Sequence, residues 1–240
     1  MSVVKLIRLR FDTPIQPDEL PVFRDVISDY LGFTGMYIVQ GDWHTAGELI
    51  DFERNITPPV PLVYPLLQWR LRRDGNGYTP ELVCISDRLE KVEESLVHNG
   101  GSKVIVNDRP YSMWCRPPKH ETLRISTGDR RYTYELQQYL PVEGQNLLAF
   151  NQIRDQQKRR SVVDRMLLNH LMLFAKVVGA DMKRELRVDN LFIYPQEAVT
   201  IGGQSFNAFR LQFQSNLNIP DDVGLGCKAG LGYGIVKAIR

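Results

Sequence analysis

Five glycines and a single lysine near the end of the sequence have the types and spacing that could bind a phosphate. The only charged residue among them is Lys228. A glycine backbone bends freely and leaves its amides uncovered by side chains, which suits an anion such as phosphate. The same spacing fits a loop cramped between structural elements, so both interpretations stay open at this point. The five glycines are Gly224, Gly226, Gly230, Gly232 and Gly234.

The spacing argues against a dinucleotide-binding motif. In the pattern G-x-G-x-x-G that begins at Gly224, the third glycine would stand at Ala229, but the sequence has it one residue later. A βαβ unit also needs a helix and a second strand after the glycines, and only six residues follow Gly234. The pattern therefore predicts a glycine-rich turn that leads into a strand at residues 233–239.

The composition indicates a folded protein without membrane segments. The chain has 240 residues, 43% of them hydrophobic, which is enough for one large domain or two small ones. No apolar run approaches the ~20 residues of a membrane helix, and residues 1–10 lack the apolar core of a signal peptide. Cys84, Cys115 and Cys227 have no metal-binding or disulfide spacing. We expect a cytoplasmic protein with no metal, no cofactor and no membrane partner.

The charges are unevenly distributed along the sequence. From Asp12 to Glu53 nine acids stand against one base, whereas from Arg154 to Arg187 nine bases stand against four acids. A basic half of this kind is typical of a protein with a phosphate-rich partner, although a solvated surface has the same pattern. Its densest part is the run Lys158, Arg159 and Arg160, which we predict to contact phosphate.

The predicted elements belong to the α+β class with antiparallel sheets. The first half has the order β-α-β-β-α-β of the ferredoxin-like fold, including a hairpin at Asp74-Gly-Asn-Gly77. The second half repeats this logic with more helix, and the pattern Ser161-x-x-Asp164 predicts the start of its long helix. We predict two tandem ferredoxin-like, RRM-like domains, residues 1–120 and 121–240, the second with a C-terminal glycine-rich loop.

Two stretches resemble one known family. Residues 219–236, Ile-Pro-Asp-Asp-Val-Gly-Leu-Gly-Cys-Lys-Ala-Gly-Leu-Gly-Tyr-Gly-Ile-Val, resemble the C-terminal signature of the CRISPR-associated RAMP proteins. The resemblance is to their repeat-processing endoribonucleases, the Cas-six family. In one branch of that family a His-x-His pair precedes a Tyr-Pro-x-x-Gln strand. Here His44-Thr45-Ala46 precedes Tyr64-Pro-Leu-Leu-Gln68.

The resemblance implies a fold, a partner and a reaction. It implies two RAMP-type domains that hold CRISPR repeat RNA, the precursor of guide RNA, in a cleft and on the glycine-rich loop. It also implies cleavage without a metal, leaving a 2′,3′-cyclic phosphate and a 5′-hydroxyl. Other CRISPR effector subunits are further candidate partners, and we expect a monomer or a homodimer. Because Ala46 replaces the second histidine of the pair, the chain cuts slowly, uses another residue or only binds RNA.

RNA cleavage of this kind needs a base, an acid and positive charge, because RNA carries its own 2′-hydroxyl nucleophile. His44 is our candidate base, since the pKa of histidine, ~6.5, lies near neutral pH. Tyr37 is a candidate acid, and Lys228 a candidate for balancing the phosphate charge. Each has an ordinary alternative: a histidine in a surface turn, a packed tyrosine and a solvated lysine.

The remaining candidates are weaker. His170 lies on the apolar stripe of its predicted helix, which predicts a core histidine. Base stacking is open to several aromatic residues that fit a core equally well. Two other functions stay open: a RAMP protein that binds RNA without cutting, and an unrelated ferredoxin-like protein with a structural glycine loop. The aromatic residues are Trp43, Trp114, Tyr132, Tyr134 and Tyr139.

Overall fold

The computed structural model describes residues 3–30, 38–40, 63–75, 77–85, 94 and 101–239. The described part of the first half contains β1 (Val4–Arg10), α1 (Leu20–Tyr30), β2 (Ile38–Gln40), β3 (Val63–Pro65), β4 (Leu67–Asp74), β5 (Gly77–Ile85), β6 (Lys103–Val106), β7 (Arg109–Ser112) and β8 (Lys119–Leu123). The second half contains β9 (Ser126–Tyr139), α2 (Gln145–Gln152), α3 (Gln156–Val177), β10 (Asp181–Met182), β11 (Val188–Pro195), β12 (Val199–Ile201), β13 (Gln204–Phe206), β14 (Phe209–Leu217) and β15 (Ile235–Ile239).

The first sheet has the strand order β4-β5-β1-β8 with antiparallel neighbours, which is the ferredoxin-like order. Alternation along β1 gives the sheet two buried faces. Ile7 and Leu9 face a cluster with α1, whereas Val4 and Leu6 face the second half of the chain. This sheet with α1 and the β6–β7 hairpin is called the first unit below.

The second sheet has the order β15-β9-β14-β11, and β10 adds a short parallel pairing at the start of β9. The helix α3 packs on one face through residues such as Leu167 and Phe174, and the opposite face carries polar residues such as Gln212. In a ferredoxin-like unit a second helix would connect β14 to β15. Here residues 218–234, which contain the five glycines, make that connection. This sheet and its helices are called the second unit.

The fold class predicted from the sequence is confirmed: an α+β chain with two antiparallel ferredoxin-like sheets in tandem. The hairpin between β4 and β5 also forms as predicted. Strands β6 and β7 form a second hairpin. The chain passes from the first sheet to the second between Leu123 and Ser126. The division into domains at residues 120 and 121 stays a prediction.

The predicted start of the long helix is wrong. Helix α3 begins at Gln156, and its N-cap is Asp155, whose side chain accepts hydrogen bonds from the amides of Gln157 and Lys158. Ser161 lies inside the helix, where its hydroxyl donates to the Gln157 carbonyl at 3.1 Å. Aspartate is a strong N-cap and the following Gln, Lys and Arg residues favour helix, so the helix starts earlier than Ser161. The basic run at 158–160 therefore lies in the helix and not before it.

Candidate nucleic-acid interface at the glycine segment

The glycine segment, residues 224–234, lies between the two units. Gly230 faces the start of β4, where an added Cβ would stand 3.4 Å from Pro65 Cβ and 3.6 Å from the Leu67 carbonyl oxygen. A Cβ on Gly232 would stand 2.9 Å from the Trp69 carbonyl oxygen, and one on Gly226 only 2.7 Å from Cε2 of Tyr139. Real side chains do not approach as closely as at Gly226 and Gly232, so these two glycines are needed for packing. The interpretation of the glycines as a loop cramped between structural elements therefore holds at these positions. It does not conflict with a role in binding.

Three of the five glycine amides serve the fold. The Gly224 amide donates to Gln68 Oε1 at 2.6 Å, and the amides of Gly232 and Gly234 donate to the carbonyls of Ala229 and Gln138 at 3.1 Å each. An anion is therefore best placed at the two remaining amides, those of Gly226 and Gly230. Both were candidates from the sequence, and their role in binding stays a prediction.

Lys228 stands at the bend of the segment with a left-handed backbone, φ 59°. Its Nζ lies 2.6 Å from Glu143 Oε2, and both side chains are about one-third exposed. Nζ also lies 5.9 Å from the centre of the Phe206 ring. A phosphate at Lys228 would therefore compete with a carboxylate that already holds the ammonium group.

Gln68 joins the two stretches that carried the family resemblance. It is 1% exposed on β4, and its side-chain amide bonds both the amide and the carbonyl of Gly224. The Tyr64-Pro-x-x-Gln68 stretch and the glycine segment are thus in direct contact although 156 positions separate Gln68 from Gly224. The available signal in the sequence was a glutamine at an inward position of a predicted strand, which indicates a buried polar side chain. Neighbouring residues do not identify its hydrogen-bond partner.

An ion network at the same junction was missed by sequence reasoning. Arg70 and Glu81 are buried, with Arg70 Nη2 2.5 Å from Glu81 Oε2. Arg72 bridges Glu81 and Asp222, at 2.9 and 2.6 Å. Burial alone would raise the pKa of Asp222, but Lys237, Arg70 and Arg72 hold this pKa lowered, at about 2. The network fixes the turn that leads into the glycine segment.

A cleft of about 760 Å³ opens between the two units. Four bases and four acids line it, and several are paired, among them Arg8 with Glu121. The charges of the lining cancel, so these residues give the cleft no excess positive charge. RNA binding in the cleft stays a prediction. The bases are Arg8, Arg10, Arg72 and Lys119, and the acids are Glu81, Glu121, Asp221 and Asp222.

The basic run on α3 is partly structural. Arg159 Nη2 donates to the Ile153 carbonyl at 2.8 Å, at the end of α2, and its guanidinium lies 5.6 Å from the centre of the Phe150 ring. Arg160 Nη2 donates to the Leu191 carbonyl at 2.7 Å, on the edge strand β11. Lys158 is exposed on the first turn of the helix. Phosphate contact by the run stays a prediction.

The aromatic candidates separate by burial. Tyr134 and Tyr139 are 1% and 0% exposed, so neither can stack on a base, whereas Trp114 is 60% exposed. His170 is a core histidine, as predicted: Nδ1 lies 2.7 Å from the Tyr139 hydroxyl, and burial lowers the pKa of His170 to about 4. The candidate acid and base, Tyr37 and His44, lie outside the described residues, as does Trp43.

Two absences concern the described residues. Within them, no group of three or more His, Cys, Asp or Glu side chains could hold a metal ion. Among the helices in the same part of the chain, none is both long and apolar enough to cross a membrane.

The architecture defines a class: a protein of two ferredoxin-like units in tandem, with a glycine segment in place of the last helix. Residues 126–239 match the family described as the Cas6b C-terminal domain. The second unit therefore matches the Cas6b C-terminal domain over almost its whole length, and the Cas-six resemblance drawn from the sequence is confirmed. This match argues against the alternative of an unrelated ferredoxin-like protein.

Solved structures share the fold over the whole chain. A crystal structure of Cas6b has a TM-score of 0.69 at 16% identity and covers 99% of this chain and 100% of its own. A CRISPR RNA processing endoribonuclease Cas6b has a TM-score of 0.60 at 17% identity with the same coverage. A Cas6 solved as a product complex has a TM-score of 0.53 at 12% identity, with both chains fully covered.

A sequence relative covers about half of the chain. An uncharacterized protein of Methanocaldococcus jannaschii is 22% identical over 122 residues, which are 51% of this chain and 81% of that protein.

Proposed function

We propose that this protein binds CRISPR repeat RNA and cleaves it as an endoribonuclease that generates guide RNA. The observation that carries the proposal is a Cas6b C-terminal domain whose glycine segment docks on the strand that follows the His44 stretch. Solved proteins of the same fold include a CRISPR RNA processing endoribonuclease and a Cas6 in a product complex. The second unit also carries the basic half of the sequence.

The proposed reaction uses the nucleophile of the RNA. His44 takes the proton of a 2′-hydroxyl, the 2′-oxygen attacks the adjacent phosphorus, and the bond from phosphorus to the 5′-oxygen breaks. Tyr37 donates a proton to the leaving 5′-oxygen. The products are a 2′,3′-cyclic phosphate and a 5′-hydroxyl, and the proton balance requires no metal.

The glycine segment supplies the positive potential in this proposal. The amides of Gly226 and Gly230 and the ammonium group of Lys228 face the phosphate charge that develops during attack. Glu143 holds Lys228 at 2.6 Å in the RNA-free chain and is displaced when phosphate arrives. Lys158 contacts the phosphate backbone of the repeat at a point distant from the cleaved bond. The cleft between the units holds the RNA.

Cleavage of repeat RNA tests this proposal directly. The parent protein should convert repeat RNA, with a chelator present, into a product that ends in a 2′,3′-cyclic phosphate. His44→Ala should bind the RNA and cut it at least about 100-fold more slowly, as expected for loss of a general base. Loss of cutting in the chelator, or an unchanged rate in His44→Ala, would contradict the mechanism.

A protein that binds repeat RNA without cutting is the second candidate. Ala46, which stands where one branch of the family has a second histidine, favours it. The same assay separates the two functions, since binding without any cyclic phosphate product defines the second. Other effector subunits as partners, and the choice of monomer or homodimer, stay predictions that co-purification and sedimentation would test.

A further inference from the structure

Gln68 has no part in the proposed reaction, yet it is the buried side chain that pairs with the backbone of the glycine segment. Its Oε1 accepts from the Gly224 amide at 2.6 Å, and its Nε2 donates toward the Gly224 carbonyl at 3.3 Å. One side-chain amide thus satisfies both polar groups of one backbone residue, as a neighbouring strand would. The pairing sets where the segment sits on β4.

A buried frame fixes the orientation of that amide. Gln68 Nε2 also donates to the Tyr64 hydroxyl at 2.9 Å and to the Pro65 carbonyl at 3.2 Å. Tyr64 is 3% exposed, burial raises the pKa of its hydroxyl, and its ring packs 5.3 Å from that of Phe174 on α3. A neutral hydroxyl that accepts from Nε2 holds Oε1 toward Gly224.

Gly224 lies where the two ends of the glycine segment meet. It forms a bridge with Ile235, and the next amide, that of Leu225, donates to the Gly234 carbonyl at 2.8 Å. A Cβ on Gly224 would stand 3.0 Å from Ala229 Cβ. Holding Gly224 therefore places both ends of the loop that carries Lys228.

We propose that Gln68 is a positioning residue for RNA binding. Its side-chain amide fixes the position of the glycine segment along β4, and this position lets the loop amides and Lys228 contact the phosphate. The inference rests on the proposed function. A side chain that only stabilised the junction would also lower the melting temperature when removed. The test must therefore separate stability from binding.

The decisive variant is Gln68→Leu, which keeps the size and removes both hydrogen-bonding groups. Its affinity for repeat RNA is measured in the His44→Ala background, so that the RNA is not consumed, and well below the melting temperature. We expect Kd to rise at least about 10-fold, the scale of a buried donor and acceptor left unsatisfied. The alternative outcome, a Kd unchanged within 2-fold (about the precision of such assays), would overturn the proposal.

Two matched variants control for stability and chemistry. Ile27 lies on α1 and is 0% exposed, so Ile27→Ala opens a cavity between α1 and the first sheet, on the face of the sheet away from the second unit. It should lower the melting temperature at least as much as Gln68→Leu and leave Kd unchanged. Gln212→Leu makes the same chemical change on the polar face of the second sheet and should also leave Kd unchanged. Equal increases in Kd in Gln68→Leu and Ile27→Ala would show that Gln68 acts only through the stability of the fold.

A third variant rescues the contact by protonation. In Gln68→Glu the neutral carboxyl keeps one acceptor and one donor, whereas the carboxylate lacks a donor. The buried Arg70, two residues along on the same face of β4, is already paired with Glu81. Burial raises the pKa of such a carboxyl. The ratio of the Kd of this variant to the Kd of the parent should therefore decrease as the pH is lowered from 8 to 5.5. This range is set by the ordinary and buried carboxyl pKa values, about 4 to 8. A pH-independent ratio would contradict the amide's role.

Hydrogen exchange tests, without RNA, whether Gln68 holds the glycine segment in place. The amides of Gly224 and Leu225 should exchange faster in Gln68→Leu than in Ile27→Ala, and equal rates would show that Gln68 does not hold the segment. If exchange responds but the parent binds no repeat RNA, the proposed function fails and the positioning role in binding fails with it. If the parent binds and Gln68→Leu binds equally well, only the positioning role fails.

Discussion

Two glycine turns of this molecule share a backbone conformation but differ in their surroundings. Gly202 and Gly203 connect β12 to β13 with φ of 55° and 77°, and a Cβ on either would meet no atom within 4 Å. Gly226 has φ 97°, and a Cβ there would collide with the Tyr139 ring and approach the Leu140 carbonyl oxygen to 3.0 Å. The hairpin needs glycine for its backbone alone. The glycine segment needs it for the backbone and for the missing side chain.

The comparison explains how a loop rich in glycine can be well ordered. Conformational freedom is a cost on folding unless contacts restrict it. In the glycine segment those contacts come from both units, through Tyr139 on one side and Trp69 and Gln68 on the other. The glycines therefore let two protein backbones approach closely.

Of the four substitutions considered next, Gly226→Ala should have the largest effect. The new Cβ would meet the Tyr139 ring at 2.7 Å and would also stand in the left-handed region. We expect a loss of about 4 kcal/mol in the free energy of unfolding, combining overpacking with backbone strain. Urea unfolding measures it, with Gly128→Ala as the control because Gly128 has open space around it. A loss under about 1 kcal/mol would contradict the difference between the hairpin and the glycine segment, since backbone strain alone reaches that size.

Gly232→Ala should follow. Its Cβ would stand 2.9 Å from the Trp69 carbonyl oxygen and 3.2 Å from Arg70 Cβ, both on β4. We expect a loss of about 3 kcal/mol and a weaker affinity for repeat RNA, because the segment must shift away from the first unit. Urea unfolding and RNA titration measure the two effects. Normal affinity with reduced stability would show that this end of the segment does not contact RNA.

Asp222→Asn should have a smaller effect that depends on pH. The pKa of Asp222 is lowered in the folded chain, so its carboxylate stabilises the fold above its ordinary pKa and loses this effect as pH falls from about 4 to about 2. We expect the variant to lose about 1 to 2 kcal/mol at pH 7, since water screens part of the network. Its unfolding free energy should change less than that of the parent between pH 4 and pH 2 (the window between the ordinary and lowered pKa). Parallel pH curves would contradict this assignment.

Gly203→Ala should have the smallest effect. The new side chain meets nothing within 4 Å, so only the left-handed backbone, φ 77°, is unfavourable for alanine. We expect a loss of about 1 kcal/mol and no change in RNA affinity. Urea unfolding beside Gly226→Ala gives the direct comparison. Equal losses at the two positions would show that packing around the glycine segment adds nothing.

Local patterns predicted much of the architecture because they depend on neighbouring residues. The Asp74-Gly-Asn-Gly77 turn specifies its hairpin, which forms between β4 and β5. Where two local signals competed the prediction was wrong: Asp155 caps α3 and Ser161 does not. The packed position of His170 followed from helical periodicity, which is again a local property.

The junction of the two units could be seen only in the folded chain. Gln68 and Gly224 are 156 positions apart, and Arg72 and Asp222 are 150 apart. No periodicity or spacing connects such residues, because the partner of a buried polar group is chosen by tertiary packing. The glycine pattern alone was compatible with an open phosphate loop and with a packed connection. The contacts with Tyr139, Trp69 and Gln68 show that the segment is packed, since only the folded chain brings two backbones close enough to exclude a side chain. Phosphate binding by the segment stays a prediction.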